Sequence, residues 1–312
     1  MCRQIPLIFL GIAVCLFLSC SFLFPIIPTG ENQSYIKWVE FNIPSNILHQ
    51  AITLDIESRN LEERIDSIKL LSYLAAKNGG NFKNTKIQDV KQAAKYLSEN
   101  QPTDLKNYPY YLQAYSAVME GWLGEYETEI KNSDGTTKTV LKYGLKIRHP
   151  VKGGYSDSDD FGNQRSYGFQ RKHQGHDFFT STGTPVAAVE DGVIEVMGWN
   201  RYGGWRIGVR SFDGKRYYYY AHLQKNAPFA KGLEEGHTVK AGQTIGYVGQ
   251  TGYSFKENVN NINVPHLHFG IQLIFNEVQK DGNNQIWIDC YQIAKLLLNP
   301  PTPIVVDTTV SP

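Results

Sequence analysis

Residues Ile5 to Pro28 form an almost wholly apolar run, with Arg3 ahead of it and no further basic residue until Lys37. A run of that length crosses ~30 Å of hydrocarbon as a helix, whereas a secretory signal has a shorter apolar core and a small-residue cleavage site. The pattern predicts an uncleaved signal-anchor over residues 1–29. The chain would then cross the cell membrane once, amino terminus inside, with everything that follows extracytoplasmic. Leu18-Ser19-Cys20 has the form of a lipoprotein processing site, with Phe17 where an aliphatic residue is usual. A secreted or lipid-anchored product is therefore the alternative.

Beyond residue 30 the apolar positions take up helical spacing. After a linker to about residue 43, Pro44-Ser45 opens a helix with Ser45 as its N-cap. Leu61, Ile65, Ile68 and Ala75 mark a second, stopped by Asn78-Gly79-Gly80. Thr85 caps a third, whose stripe is Ile87, Val90, Ala94 and Leu97. A fourth, rich in Tyr and Ala, runs from about Tyr110 to Leu123. Residues 30–124 thus read as a linker and a small helical domain with a solvated charged face.

The period changes after Gly124. Tyr126 to Val140 alternates around the turn Asn132-Ser-Asp-Gly135, a hairpin signature. Short β-branched and aromatic segments punctuated by glycine continue to about Gln272, among them Gly192–Val196, Trp205–Val209 and Tyr217–Ala221. Such a series predicts a mainly antiparallel, barrel- or sandwich-like β domain over residues 125–299, closed by a helix at about Asp289 to Leu298. The proline-rich tail, residues 300–312, reads as disordered. The fold class is α+β overall.

Composition trims the function classes. A net charge of +1 gives no support for nucleic-acid binding. Three of the four cysteines, Cys2, Cys15 and Cys20, precede the body, which excludes a disulfide scaffold and a Cys-type zinc site there. The fourth, Cys290, reads as an apolar filler.

Chemistry concentrates in two clusters, His173-Gln-Gly-His-Asp177 and Pro265-His-Leu-His-Phe269. Side chains on a strand alternate faces, so His266 and His268 share one, and so do His173 and Asp177; His176 has the wrong parity. Two same-face pairs are hard to explain as core filling. Imidazoles and a carboxylate suit a catalytic zinc, which takes three protein ligands and keeps an open position. Such a site acidifies a water and polarises a carbonyl, which points to hydrolysis.

At these residues the chain resembles the lysostaphin-type zinc metallopeptidases, which cut peptide bonds in peptidoglycan. The likeness spans about Phe161 to Gln272. Its ordered pieces are His173-x-Gly-x-Asp177, Gly183-Thr-Pro-Val-Ala-Ala, Asp191-Gly-Val-Ile, Tyr220-Ala-His222-Leu, Val239-Lys-Ala-Gly-Gln-Thr-Ile-Gly246, Gly249-Gln-Thr-Gly252 and His266-Leu-His268-Phe. The resemblance implies one Zn2+ held by His173, Asp177 and His268, with His222 and His266 as catalytic histidines. It also implies a peptidoglycan peptide as substrate. A long insertion, Tyr253 to Val264, departs from the family pattern and is expected to reshape one wall of the groove.

Arg165, Asn200, Tyr202 and Tyr220 are candidate substrate contacts. Each has a plainer reading: an ion pair with Asp159 or Asp160 for Arg165, a glycine-rich turn for Asn200 and Tyr202, core packing for about half of the Tyr217–Tyr220 run. Two other functions compete. One is a non-catalytic extracytoplasmic scaffold or activator on the same fold. The other is a biotinyl- or lipoyl-type carrier, suggested by Val186–Val196 and Val239–Val248, which lacks an obvious modifiable lysine in a tight hairpin. Protein partners of the helical domain are not legible.

Overall fold

The computed structural model describes residues 35–102, 104–166 and 170–306. The expected membrane segment, residues 1–29, lies outside them. Among the described residues no helix is long and apolar enough to cross a membrane.

Four helices come first, and their starts differ from the pattern reading because side chains from elsewhere take the first amides. Helix α1 (Ser45–Glu57) begins after Pro44, and Ser45 is its first residue rather than its cap. The Ser45 amide instead donates to Gln292 Oε1, 2.9 Å away in the last helix. Helix α2 (Ser67–Asn78) starts six residues after Leu61 because two carboxylates claim its N-terminal amides. Asp66 Oδ1 accepts from Ile68 and Lys69, and the buried Asp55 accepts from Ser67. Leu61 is left exposed. Gly79 closes α2 in the left-handed conformation, φ 61°, where a side chain is disfavoured. Helix α3 (Ile87–Glu99) is preceded by Lys86, whose amide donates to Asp89; Thr85 is not the cap. Val90 and Ala94 are buried as expected, while Ile87 is exposed. Helix α4 is Tyr108–Met119.

The first hairpin follows the alternation closely. Strands β1 (Leu123–Lys131) and β2 (Thr137–Leu145) pair in unbroken register from Leu123↔Leu145 to Lys131↔Thr137. The chain then forms a short hairpin, β3 (Gln164–Ser166) and β4 (Gln170–Lys172), followed by β5 (His176–Phe179) and β6 (Pro185–Ala187). Strands β7 (Gly192–Asn200), β8 (Gly204–Ser211), β9 (Arg216–Ala221), β10 (Thr238–Val239), β11 (Thr244–Tyr247), β12 (His266–Leu273) and β13 (Ile286–Ile288) complete the body. Helix α5 (Tyr291–Leu298) and strand β14 (Ile304–Val305) follow.

The main sheet runs β10-β7-β8-β9-β12-β13, all antiparallel, with β5 beside the first half of β12. It is open, which corrects the barrel-like expectation. β5 and β13 share one edge of β12 end to end, and β10 at the far edge is two residues long, so the two edges do not meet. The tail expectation also changes: Ile304 and Val305 pair with Tyr143 and Lys142, so residues 300–306 are tied to β2.

The core lies on one face of the main sheet, filled by Ile207, Val209, Tyr218, Tyr220, Leu267, Phe269 and Ile271. Alternation puts Arg206, Arg210, Tyr217, Tyr219, His268 and Gln272 on the other face, where they line a groove. Residues from Tyr35 onward form one compact unit. Buried Arg216 on β9 links the helices to the sheet: Nη1 donates to Ala117 O (2.8 Å), while Nε and Nη2 grip both oxygens of Glu190 (2.8 and 2.9 Å).

Candidate metal centre and groove

Strand β12 organises the site. Its register sets His268 opposite Asp177 on β5 and opposite Ala221 on β9. His173 enters from the turn between β4 and β5. The atoms that converge are His173 Nε2, Asp177 Oδ1 and His268 Nδ1, at 2.8 to 3.1 Å from one another. These three residues form the candidate metal group among the described residues. Gly175 makes the approach possible, because a Cβ there would lie 2.6 Å from Phe269 O and 2.8 Å from His268 Nε2.

The donor set fits zinc. Tetrahedral bonds of about 2.0–2.1 Å imply ligand–ligand edges of about 3.3 Å. The three atoms already sit slightly inside that edge, so a small outward movement admits the ion. His173 Nδ1 donates to Asp160 Oδ1 at 2.9 Å, which leaves Nε2 to act as a ligand. Burial raises the Asp177 carboxyl, but hydrogen bonds from His173 and His268 outweigh it and hold the group well below the usual carboxylate range. At His268 burial wins and pushes the imidazole down, favouring the neutral form. At His173 burial acts in the same direction, but the hydrogen bond and charge of Asp177 more than offset it.

Two further imidazoles face the group. His222 Nδ1 donates to Thr251 O at 2.9 Å, and His266 Nδ1 donates to Val264 O at 2.9 Å. In its neutral form each ring then carries its lone pair at Nε2. His266 Nε2 lies 4.0 Å from Asp177 Oδ1, and the His222 and His266 ring centroids are 4.9 Å apart. His222 is fixed by its φ of 62°, by its amide donating to Gly203 O (2.7 Å), and by Gly252, where a Cβ would lie 3.0 Å from His222 Nδ1 and 2.4 Å from Tyr202 O. Burial, then the neighbouring His266 and His268, lowers the His222 pKa well below its ordinary value.

The structure separates the other sequence candidates. His176 points away, donating from Nε2 to Asp157 (2.9 Å) and packing on Phe178. Arg165 bridges Asp160 and Asp177 Oδ2, at 3.2 Å from the latter. Asn200 and Tyr202 line the groove, and the Asn200 side chain also accepts from the amides of Tyr202 and Gly203. Tyr220 is corrected: it is fully buried, its hydroxyl accepting from the Val189 amide at 2.9 Å, and Tyr219 takes the groove position. The insertion does build a wall. It sets Tyr253 against His222 (5.7 Å between rings) and beneath the Arg171 guanidinium (5.1 Å).

Sequence reasoning missed Thr251, Tyr219, Arg171, Arg206 and Trp287, and it offered Asp160 only as a partner of Arg165, not of His173. The acidic run Asp157-Ser-Asp-Asp160 was the available signal for a carboxylate behind His173. The groove itself is a cavity of about 730 Å3 running from His268 past Tyr219 and Trp287.

Residues 171–282 match the sequence profile of peptidase family M23. The L-Ala–D-Glu endopeptidase of Bacillus subtilis is 43% identical over 122 residues, covering 39% of this chain and 36% of that protein. Lysostaphin of Staphylococcus simulans is 44% identical over 98 residues, 31% of this chain and 17% of that protein. The peptidoglycan DD-endopeptidase ShyC of Vibrio cholerae is 28% identical over 170 residues, 54% of this chain and 34% of that protein. The matched regions thus span about a third or less of the length of these relatives. The crystal structure of Ruminococcus gnavus lytM superposes with a TM-score of 0.54 at 22% identity, covering 86% of this chain and 92% of that one. That likeness concerns the fold, and its coverage exceeds what residues 125–306 alone can supply, so it takes in part of the helical region.

Proposed function

We propose that the protein is a zinc-dependent endopeptidase hydrolysing peptide bonds in peptidoglycan stem peptides or crossbridges, a reading supported by the match of residues 171–282 to peptidase family M23. The observation that carries the reading is the convergence of His173 Nε2, Asp177 Oδ1 and His268 Nδ1 beside two imidazoles whose Nδ1 atoms are bonded to backbone carbonyls. Zinc, when bound by the three, supplies a Lewis acid for the scissile carbonyl and lowers the pKa of the attacking water. His222 and His266 handle the proton. With Nδ1–H committed to a backbone carbonyl, each accepts a proton from the water at Nε2. Once protonated, each donates from Nε2 to the developing oxyanion or the leaving amine. The groove holds the peptide alongside β12, with Tyr219 and Trp287 as apolar surfaces. The activities of the Bacillus and Vibrio relatives support a peptidoglycan peptide as substrate.

In the same reading the apolar run Ile5–Pro28 anchors the chain and leaves the catalytic body extracytoplasmic. Its support is the sequence pattern. The helices of residues 45–119 pack with the β body in one compact unit, joined to it through Arg216 and Ala117.

Zinc content and cell-wall digestion test the proposal together. The purified chain should bind one zinc, His268→Ala should lose both metal and turnover, and His222→Ala should keep the metal and lose turnover. Digestion that survives chelation, or a His222→Ala protein that releases muropeptides at the parental rate, would overturn it.

A further inference from the structure

The groove holds more positive charge than its own residues neutralise. Its cations are Arg171, Lys172, Arg206, Arg210 and Lys280, against Glu195 and Asp281. Arg210 is paired with Glu195 (2.5 and 2.9 Å), and Lys280 with Glu277 (2.8 Å). Arg171 and Arg206 are different. Each has a buried Nε–H with no acceptor among the described residues, and neither forms an ion pair there. A buried guanidinium N–H without an acceptor is costly unless a partner arrives from outside the chain.

Both guanidinium groups line the same groove as Tyr219, Arg206 from β8 and Arg171 from β4. The Tyr219 ring centroid lies 6.0 Å from that of the metal-site residue His268. Arg171 is held over the Tyr253 ring, so its position is set before any ligand enters. Two arginines with donors to spare in one groove suit a carboxylate, which accepts several charge-assisted hydrogen bonds. A glycine-only bridge offers only neutral backbone carbonyls, which make the weaker, uncharged kind of hydrogen bond.

We propose that Arg171 and Arg206 form a carboxylate-binding subsite beside the metal centre, which selects peptides carrying a free carboxylate next to the bond to be cut. The inference rests on the peptidase reading only for where that bond lies. The carboxylate has two possible sources, an acidic side chain or the end of the peptide chain, and the test separates them.

The experiment measures peptide binding by calorimetry to the full, zinc-loaded chain carrying His222→Ala, so that turnover does not interfere. The probes are an L-Ala–D-Glu–L-Lys peptide, the same peptide with the glutamate carboxylate amidated, the same with only the chain terminus amidated, and a terminally amidated pentaglycine. The free-carboxylate peptide should bind about tenfold tighter than one of its two amides, the size expected for one charged hydrogen bond, and that amide identifies the source. Adding Arg206→Gln or Arg171→Gln should bring the ratio towards one, with Arg206→Lys keeping part of it. Equal binding of all four peptides, no binding of any at millimolar concentration, or a ratio that survives both glutamine changes overturns the proposal. If a glutamine variant fails to hold zinc, the comparison in the His222→Ala background decides alone. A parental enzyme that cleaves no wall peptide while the binding preference stands would refute the peptidase reading and leave the subsite intact.

Discussion

Replacing Glu190 by alanine removes both acceptors of the Arg216 fork and the acceptor of the Tyr218 hydroxyl, which donates to Glu190 Oε2 at 2.6 Å. The Arg216 side chain is 1% exposed and that of Glu190 12%, so water replaces neither partner cheaply. What remains for the guanidinium is Asp213 at 3.1 Å, itself 31% exposed, and the Ala117 carbonyl. Leaving one half of a buried pair uncompensated costs about 3–5 kcal/mol. The residual contact to Asp213 argues for the lower half of that range, and the lost Tyr218 hydrogen bond adds about 1 kcal/mol. The expected loss is therefore about 4 kcal/mol, a large part of the ~5–15 kcal/mol that stabilises a typical domain. Urea unfolding followed by far-UV circular dichroism and by tryptophan fluorescence measures it. The midpoint should fall with an unchanged slope, and the two probes should move together, because Arg216 joins α4 to β9. Glu190→Gln, which keeps the shape and loses the charge, should lie between. A loss below about 1 kcal/mol refutes the argument that the pair is desolvated. Two separate transitions, only one of them shifted, refute the argument that it couples helices to sheet.

Asp160→Asn should weaken zinc affinity about 10- to 100-fold, because the charge that orients His173 through Nδ1 is lost. Competition with a chelator reads this, and a change under twofold would show that Asp160 does not tune the ligand. Burial lowers the His222 pKa, so this imidazole stays neutral until the pH falls below its ordinary 6.5. Between the unfolded and folded pKa values the unfolded chain binds more protons, so acidification below 6.5 removes the stability that neutral His222 contributes. Its ring proton resonances should titrate with a midpoint under 6.5, and a midpoint above it contradicts the assigned burial.

The peptidase body was more legible than the helices, for a physical reason. The ligand strand needs His266 and His268 on one face and Leu267 and Phe269 on the other, and period two writes that into four consecutive residues. The hairpin β1–β2 was legible for the same reason, since its register depends on neighbours and a local turn. Helix starts were not. Asp55 capping Ser67, and Gln292 taking the Ser45 amide, are contacts across 12 and 247 positions that no local window contains. The open sheet was hidden likewise. Whether strands close depends on which ones share an edge of β12, and the alternation of each strand is the same either way.

The error at Tyr220 shows where strand parity stops working. His222 faces the metal group, and counting back by two puts Tyr220 there as well. The register across β12 says otherwise, because His268 lies opposite Ala221 and Gly270 opposite Tyr219. The groove face of β9 is therefore Tyr217, Tyr219 and Ala221. His222 reaches that face only because its backbone leaves the β region at φ 62°, a conformation that costs a non-glycine residue energy. The Gly203 carbonyl, which accepts from its amide, and the Thr251 carbonyl, which accepts from Nδ1, hold it there. Placing a further imidazole beside the candidate metal group thus requires breaking the alternation that places His268. That break delivers His222 into the site while Tyr220 stays in the core, and it leaves Tyr219 facing the groove that Arg171 and Arg206 also line.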